Sequence, residues 1–368
     1  MTKERVVFLD WLRVIACFLV IMTHCNEMFY LGGEEIRTQI SSATDAFWTT
    51  FFISLCRCCV PLFVLASSYL LFPLEYDTRT FFRKRAIRIV IPATLWLVIY
   101  CIFCGNPAGD FKQLPFNFPM CAAHIWFCYM IVGLYLLMPL LSPWAEKAGK
   151  KELQIFLGIW LFTTLIPAFR QFNMDINGSW AFWGEQNWTE FGTFYYVSGY
   201  IGYLVLGLYF RKYVGELSWR RTLLFALPLF AAGFAISAAW FYGHMPKTFP
   251  VDDPNETAVH MEVMHRYCSI SVVMMTMAAF LVIRKVRSSG RLYRHVVLPV
   301  SKASYGLYLM HILTLAPLFS FWQGIIGTAG FWATPATVVC TAISVFAVCA
   351  LVSVLIQKIP KIGKYIVG

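Results

Sequence analysis

Long apolar stretches, separated by short polar ones, make up most of this chain. They fall at roughly 6–30, 45–72, 86–104, 124–142, 153–170, 193–210, 221–243, 262–283, 297–320 and 331–357. Each holds about 18 to 27 residues, and about 20 suffice for a helix to cross the hydrocarbon core of a bilayer. The pattern predicts an all-α polytopic bundle of about ten transmembrane helices. No polar stretch is long enough for a soluble domain, so residues 1–368 read as a single transmembrane domain. The first apolar run is too long for a cleaved signal and carries Asp10, Arg13 and His24, so it reads as a retained helix.

The short polar stretches alternate in charge. One set is basic: the N-terminus, 73–88, 143–152, 211–221, 284–302 and the tail with Lys358, Lys361 and Lys364. The other set is acidic: Glu34 and Glu35, Asp175 and Glu185, then Asp252, Asp253 and Glu256. Ten spans with both termini cytoplasmic satisfy the positive-inside rule at every loop. The longest loops on the acidic side, about 105–123, 171–192 and 244–261, are rich in Pro, Asn, Gly and Trp.

Composition agrees with a membrane protein. The chain is 59% hydrophobic and 13% charged. Its net charge of +11 is explained by topology rather than by nucleic acid. The 12 cysteines lie mostly in apolar segments and do not read as a disulfide framework. Cys56, Cys58 and Cys59 cluster, but no complementary ligand set accompanies them, and no metal site is expected.

Two ionisable residues stand out because such groups are costly inside a bilayer and usually face a bundle interior or cavity. Arg13 and His24 both lie in the first span. Eleven steps of about 100° bring them to the same side of a helix, and at about 1.5 Å per residue they sit roughly 16 Å apart along it. One wall thus carries an anion-binding group and a potential base, separated by about half a bilayer. A long acyl donor with an anionic head suits that arrangement.

Four local patterns then coincide: Asp10-Trp11-Leu12-Arg13 followed by His24; Phe82 to Pro92 with Arg85-x-x-Arg88; His124-Ile125-Trp126-Phe127-Cys128-Tyr129; and Ser304-Tyr305-Gly306-Leu307-Tyr308-Leu309-Met310-His311. In this order they resemble the membrane acyltransferase 3 family over nearly the whole chain, and within it the stand-alone group that O-acetylates surface polysaccharide or enterobacterial common antigen. The resemblance implies a bundle of about ten helices in the bacterial inner membrane. It implies acetyl-CoA, or another acyl-CoA, as donor substrate from the cytoplasm, with no permanently bound cofactor. The acceptor would be a hydroxyl of an extracytoplasmic glycan or lipid-linked saccharide.

The same resemblance makes His24 the catalytic residue. A neutral imidazole takes the hydroxyl proton during attack on the thioester, with an acyl-histidine as the alternative route. Arg13, Arg85 and Arg88 become donor-binding residues, since guanidinium forks suit phosphates. Asp10 is expected to pair with Arg13 three residues on. Trp126, Tyr305 and His311 take supporting roles. Tyr305 and His311 are six apart and do not share a helix face. His124 opens its span on the acceptor side. His244, His260 and His265 match no motif, and metal chemistry is not expected of them. The rival reading, from another class, is an exporter of a lipid-linked saccharide, which predicts broken helices in paired positions and no coenzyme A site.

Overall fold

A computed structural model describes residues 5–31, 40–75, 77–103, 107–114, 116–182, 192–251 and 254–368. Glu34, Glu35, Glu185, Asp252 and Asp253, which carry much of the expected acidic side, lie outside the described residues. Among those described there are helices and turns but no strands. The helices are α1 (Val7–Glu27), α2 (Ala43–Cys56), α3 (Cys59–Leu71), α4 (Thr78–Arg85), α5 (Ile91–Phe103), α6 (Pro107–Gln113), α7 (Trp126–Lys147) and α8 (Lys150–Thr163). After these come α9 (Ile166–Asn177), α10 (Ile201–Tyr213), α11 (Trp219–His244), α12 (Pro254–Met261), α13 (Ile270–Ile283), α14 (Leu298–Ile326), α15 (Ala333–Gln357) and α16 (Gly363–Ile366).

Polar residues at the ends of apolar runs set where helices start and stop. Ser42, Asp77 and Ser218 accept from the backbone N–H three residues on and so begin α2, α4 and α11. Gly178 ends α9 in the left-handed conformation at φ 66°. The central helix is α1, which packs on α2, α3, α14 and α15. Its first half contributes Phe8, Leu9 and Leu12 to one apolar core, and its second half contributes Ile21 and Cys25 to another.

Nine helical runs among the described residues are long and apolar enough to cross a membrane. The exception is the predicted span 193–210. There the chain forms a short turn, Tyr195–Val197, is extended at Ser198, turns at Gly199 with φ 73°, and only then enters the 13-residue α10. Periodicity cannot register this break, because its residues are themselves apolar or small. A second break lies inside the span 43–71, where α2 ends and α3 begins around Arg57 and Cys58. Irregular backbone at such depth is tolerated where it lines a cavity or is covered by protein.

The basic loops gather at one end, called here the basic end. Their cations do local work as well. Arg211 donates to the carbonyls of Tyr69 at 2.9 Å and Phe72 at 2.6 Å, Lys212 to Ala145 at 2.8 Å, and Arg284 to Val214 at 2.6 Å. Positive groups on the open carbonyls of helix C-termini stabilise those ends.

α10 is seated by two close approaches. A Cβ on Gly207 would meet Ser68 Oγ at 2.6 Å, and one on Gly202 would fall 1.9 Å from the Trp160 ring. Trp160 is fully buried and donates to the Gly199 carbonyl at 2.8 Å, so it pins the break before α10. Gly202→Ala must displace that ring. We expect a loss of about 1–3 kcal/mol from overpacking, read as a lower melting temperature in detergent, with Gly215→Ala, where an added Cβ meets nothing, as the control.

Candidate functional site

Two cavities sit one above the other along α1. The smaller, about 280 Å³, opens toward the basic end and is lined by Arg13, Arg85, Arg88, Tyr135, Ser304 and Tyr305 among others. The larger, about 920 Å³, faces the opposite end and includes His24, Glu27, Arg57, His124, Trp126, Tyr200, Glu262 and Tyr267 in its wall. Between them lies an aromatic partition. Phe63 meets Phe127 with ring centroids 6.0 Å apart, and Phe127 meets Tyr308 edge-on at 5.5 Å. Arg13 and His24, expected on one continuous wall, therefore belong to two chambers.

The smaller cavity owes its cations to an irregular backbone. Between α4 and α5 the chain makes a π-helical turn, Ala86–Val90, and another, Tyr293–Val297, precedes α14. Such turns are rare and concentrate at functional positions. The first places Arg85 before it and Arg88 within it, and both line the cavity. The Arg85 guanidinium lies over Phe81 at 5.7 Å and Tyr135 at 5.5 Å, and its Nε has no hydrogen-bond partner among the described residues. Tyr305 Oη donates to the Ile89 carbonyl at 2.9 Å, tying α14 to this turn.

Asp10 pairs with Arg13 as expected, but its closer partners are others. Arg5 takes both carboxylate oxygens at 2.7 Å, while Tyr293 and Ser301 donate to them at 2.7 and 2.6 Å. Arg13 Nη1 is the most distant of these partners, at 3.6 Å from Oδ1. A bidentate fork outcompetes a single distant contact, and Arg13 is left facing the cavity.

In the larger cavity, His24 Nδ1 lies 2.7 Å from Glu27 Oε2. A carboxylate at that distance accepts a hydrogen bond from Nδ1–H and holds the proton there, which leaves Nε2 with its lone pair. Behind this pair stand two more imidazoles. The His311 ring centroid is 5.2 Å from that of His24 and 5.0 Å from that of His124. His311 Nδ1 donates to the Tyr308 carbonyl at 2.5 Å, and Tyr308 Oη donates to the His124 carbonyl. His311 is fully buried with its ring beside that of His24, while Tyr305, six residues earlier, lines the other cavity. His124 sits in the short turn before α7 and borders the larger cavity. Trp126 stacks on Tyr267 with centroids 5.4 Å apart.

Three further histidines lie on the same side as His24, and His265 shares its cavity wall. His265 is buried against Ser54 Oγ at 3.0 Å, His260 lies 3.3 Å from Gln171 Oε1, and His244 stacks on Trp240. No group of three or more metal-ligating side chains occurs among the described residues. Cys56, Cys58 and Cys59 are free, buried thiols, whereas Cys121, at the end away from the basic loops, takes part in a disulfide.

Sequence reasoning missed Glu27, Arg57 and Glu262. Arg57 is almost fully buried at the α2–α3 break, with Nη1 3.1 Å from Glu27 Oε1 and Nη2 2.8 Å from Glu262 Oε2. Its signal was available: a lone arginine in the middle of an apolar run. Glu27 closes its span, where carboxylates are ordinary, and Glu262 is far away in sequence.

A family model described as an acyltransferase domain matches residues 6–354. No curated protein matches the chain, and no solved structure does.

Proposed function

This chain belongs to the membrane acyltransferase 3 family, and from that premise we propose that it moves an acyl group from cytoplasmic acyl-CoA to a hydroxyl of an extracytoplasmic glycan or glycolipid. It is a multi-pass membrane acyltransferase. The donor, the acceptor and the bacterial inner membrane as its location are our reading. One observation carries it: an imidazole held by a carboxylate faces one cavity, and an arginine cluster lines a second cavity across a thin partition.

In this reading Arg13, Arg85 and Arg88 hold the donor's phosphates at the basic end. The donor's extended arm passes between the rings of the partition to span the roughly 16 Å of α1 from Arg13 to His24. The acceptor hydroxyl meets His24 Nε2, which takes its proton as the oxygen attacks the thioester carbonyl carbon. Glu27 keeps the proton on Nδ1 and offsets the positive charge that develops on the ring. The carbon–sulfur bond then breaks, and the departing thiolate takes the proton that His24 holds, which returns the imidazole to its neutral form. Trp126 and Tyr267 offer flat apolar faces to the acceptor. The basic end is cytoplasmic by its charge, and the disulfide at Cys121 suits an oxidising compartment opposite.

Purified protein in detergent, given radiolabelled acetyl-CoA and a panel of saccharides, should release free thiol and label a saccharide ester. Saccharide translocated in proteoliposomes without any label transfer would favour the exporter instead. That rival draws its support from broken spans such as those at Arg57 and before α10.

A further inference from the structure

Arg57 holds more than Glu27. Its second amino group binds Glu262, which also accepts from Tyr30 Oη at 2.6 Å. Arg57 Nη1 donates to Tyr267 Oη at 3.1 Å, and the guanidinium lies 5.3 Å from the centre of the Tyr267 ring. One cation is thus shared between two carboxylates, and only one of the two touches His24. Arg57 comes from the break between α2 and α3. Glu262 comes from the link between α12 and the turn Val263–His265, a segment that walls the larger cavity.

A buried arginine with no carboxylate partner is very costly, and one with a single partner gives that partner its full charge. Sharing changes the balance. What Glu262 takes of the guanidinium, Glu27 keeps free for the imidazole. We infer that Arg57 and Glu262 are positioning residues for His24: Arg57 aims the Glu27 carboxylate, and Glu262, by drawing on the same guanidinium, sets how much negative charge Glu27 offers the ring. This rests on His24 being the base. It adds that the wall of the acceptor cavity reaches the base through two ion pairs, without either residue touching the reacting atoms. The other titratable groups on that side of His24 are His311 from α14, whose ring lies beside its own, and His124 from the turn before α7, which lies against His311.

The test reads the His24 ring directly, with no donor or acceptor present. Diethyl pyrocarbonate modifies unprotonated imidazole, so its rate at the His24 peptide, followed by mass spectrometry across pH, gives the midpoint of the ring's titration. Glu262→Gln keeps a carbonyl oxygen for Tyr30 and Arg57 but removes the charge. The guanidinium then falls to Glu27, and the midpoint should move to lower pH by roughly half a unit. Arg57→Lys keeps a cation but not the fork. In that background, adding Glu262→Gln should move the midpoint by much less, which is the mark of coupling through Arg57. An unmoved midpoint in Glu262→Gln overturns the inference. So does an equal shift in both backgrounds, which would mean that Glu262 acts on the ring through space. A fall in transfer rate with the midpoint unmoved would assign Glu262 to the acceptor and also overturn it. If the midpoints behave as stated and no transfer from acetyl-CoA is found, the functional reading fails and the coupling stands.

Discussion

His24→Gln lowers acyl transfer by at least about 100-fold, the lower bound of what a general base contributes, and leaves acetyl-CoA bound. Gln fills most of the same space and still donates toward Glu27, but it has no lone pair of comparable basicity to take a proton. The donor keeps its phosphate contacts, because Arg13, Arg85 and Arg88 line a different cavity from the one His24 faces. His24→Ala falls as far in rate and adds a gap beside the His311 ring. The measurement pairs a transfer assay with melting curves, with and without acetyl-CoA. Substantial transfer by the Gln variant, with Ala merely less stable, would reduce His24 to a structural residue and return weight to the exporter.

Arg85→Ala combined with Arg88→Ala weakens acetyl-CoA binding by at least one to two decades. A hydrogen bond to a charged group is worth about 1.5–3 kcal/mol, and about 1.4 kcal/mol is a decade in affinity. Arg85 also rests on Phe81 and Tyr135, so its truncation removes packing as well as charge. Arg85→Lys with Arg88→Lys separates the two effects. It keeps both charges and should bind more weakly than the parent but better than the Ala pair, because an ammonium cannot fork onto two oxygens. Calorimetry reads the affinity. Unchanged binding in the Ala pair would take both residues out of the donor site.

The parts of the site that were legible in the sequence are those whose signal is local. Arg13 and His24 are rare residue types at membrane depth, and their spacing fixes a shared helix direction. Arg85 and Arg88 sit in a short motif. The spans were legible because about 20 apolar residues in a row have few other uses. What could not be read depends on groups far apart in sequence. The Glu27–Arg57–Glu262 chain joins three helical regions, and no periodicity brings them together. The split of 193–210 into a turn and α10 depends on Trp160 filling the space at Gly202. Asp10 was read only in part for a related reason: helical spacing offers it Arg13, which does pair with it at 3.6 Å, but Arg5, from the chain before the helix, reaches it more closely.

The partition of Phe63, Phe127 and Tyr308 has a bioenergetic consequence. Under the proposed reaction, the phosphates of the donor never pass those three rings, and neither does the charge of the acceptor. For each acyl group that leaves the basic side, one hydroxyl proton ends on the thiol left behind there. Neutral reactants on each side become neutral products on the same sides. Turnover is therefore electroneutral. A voltage of 100 mV, worth about 2.3 kcal/mol for each charge that crosses a membrane, neither drives nor opposes it. Acyl groups reach the far side on the free energy of the thioester alone, in a cell whose membrane has lost its potential as readily as in one that holds it.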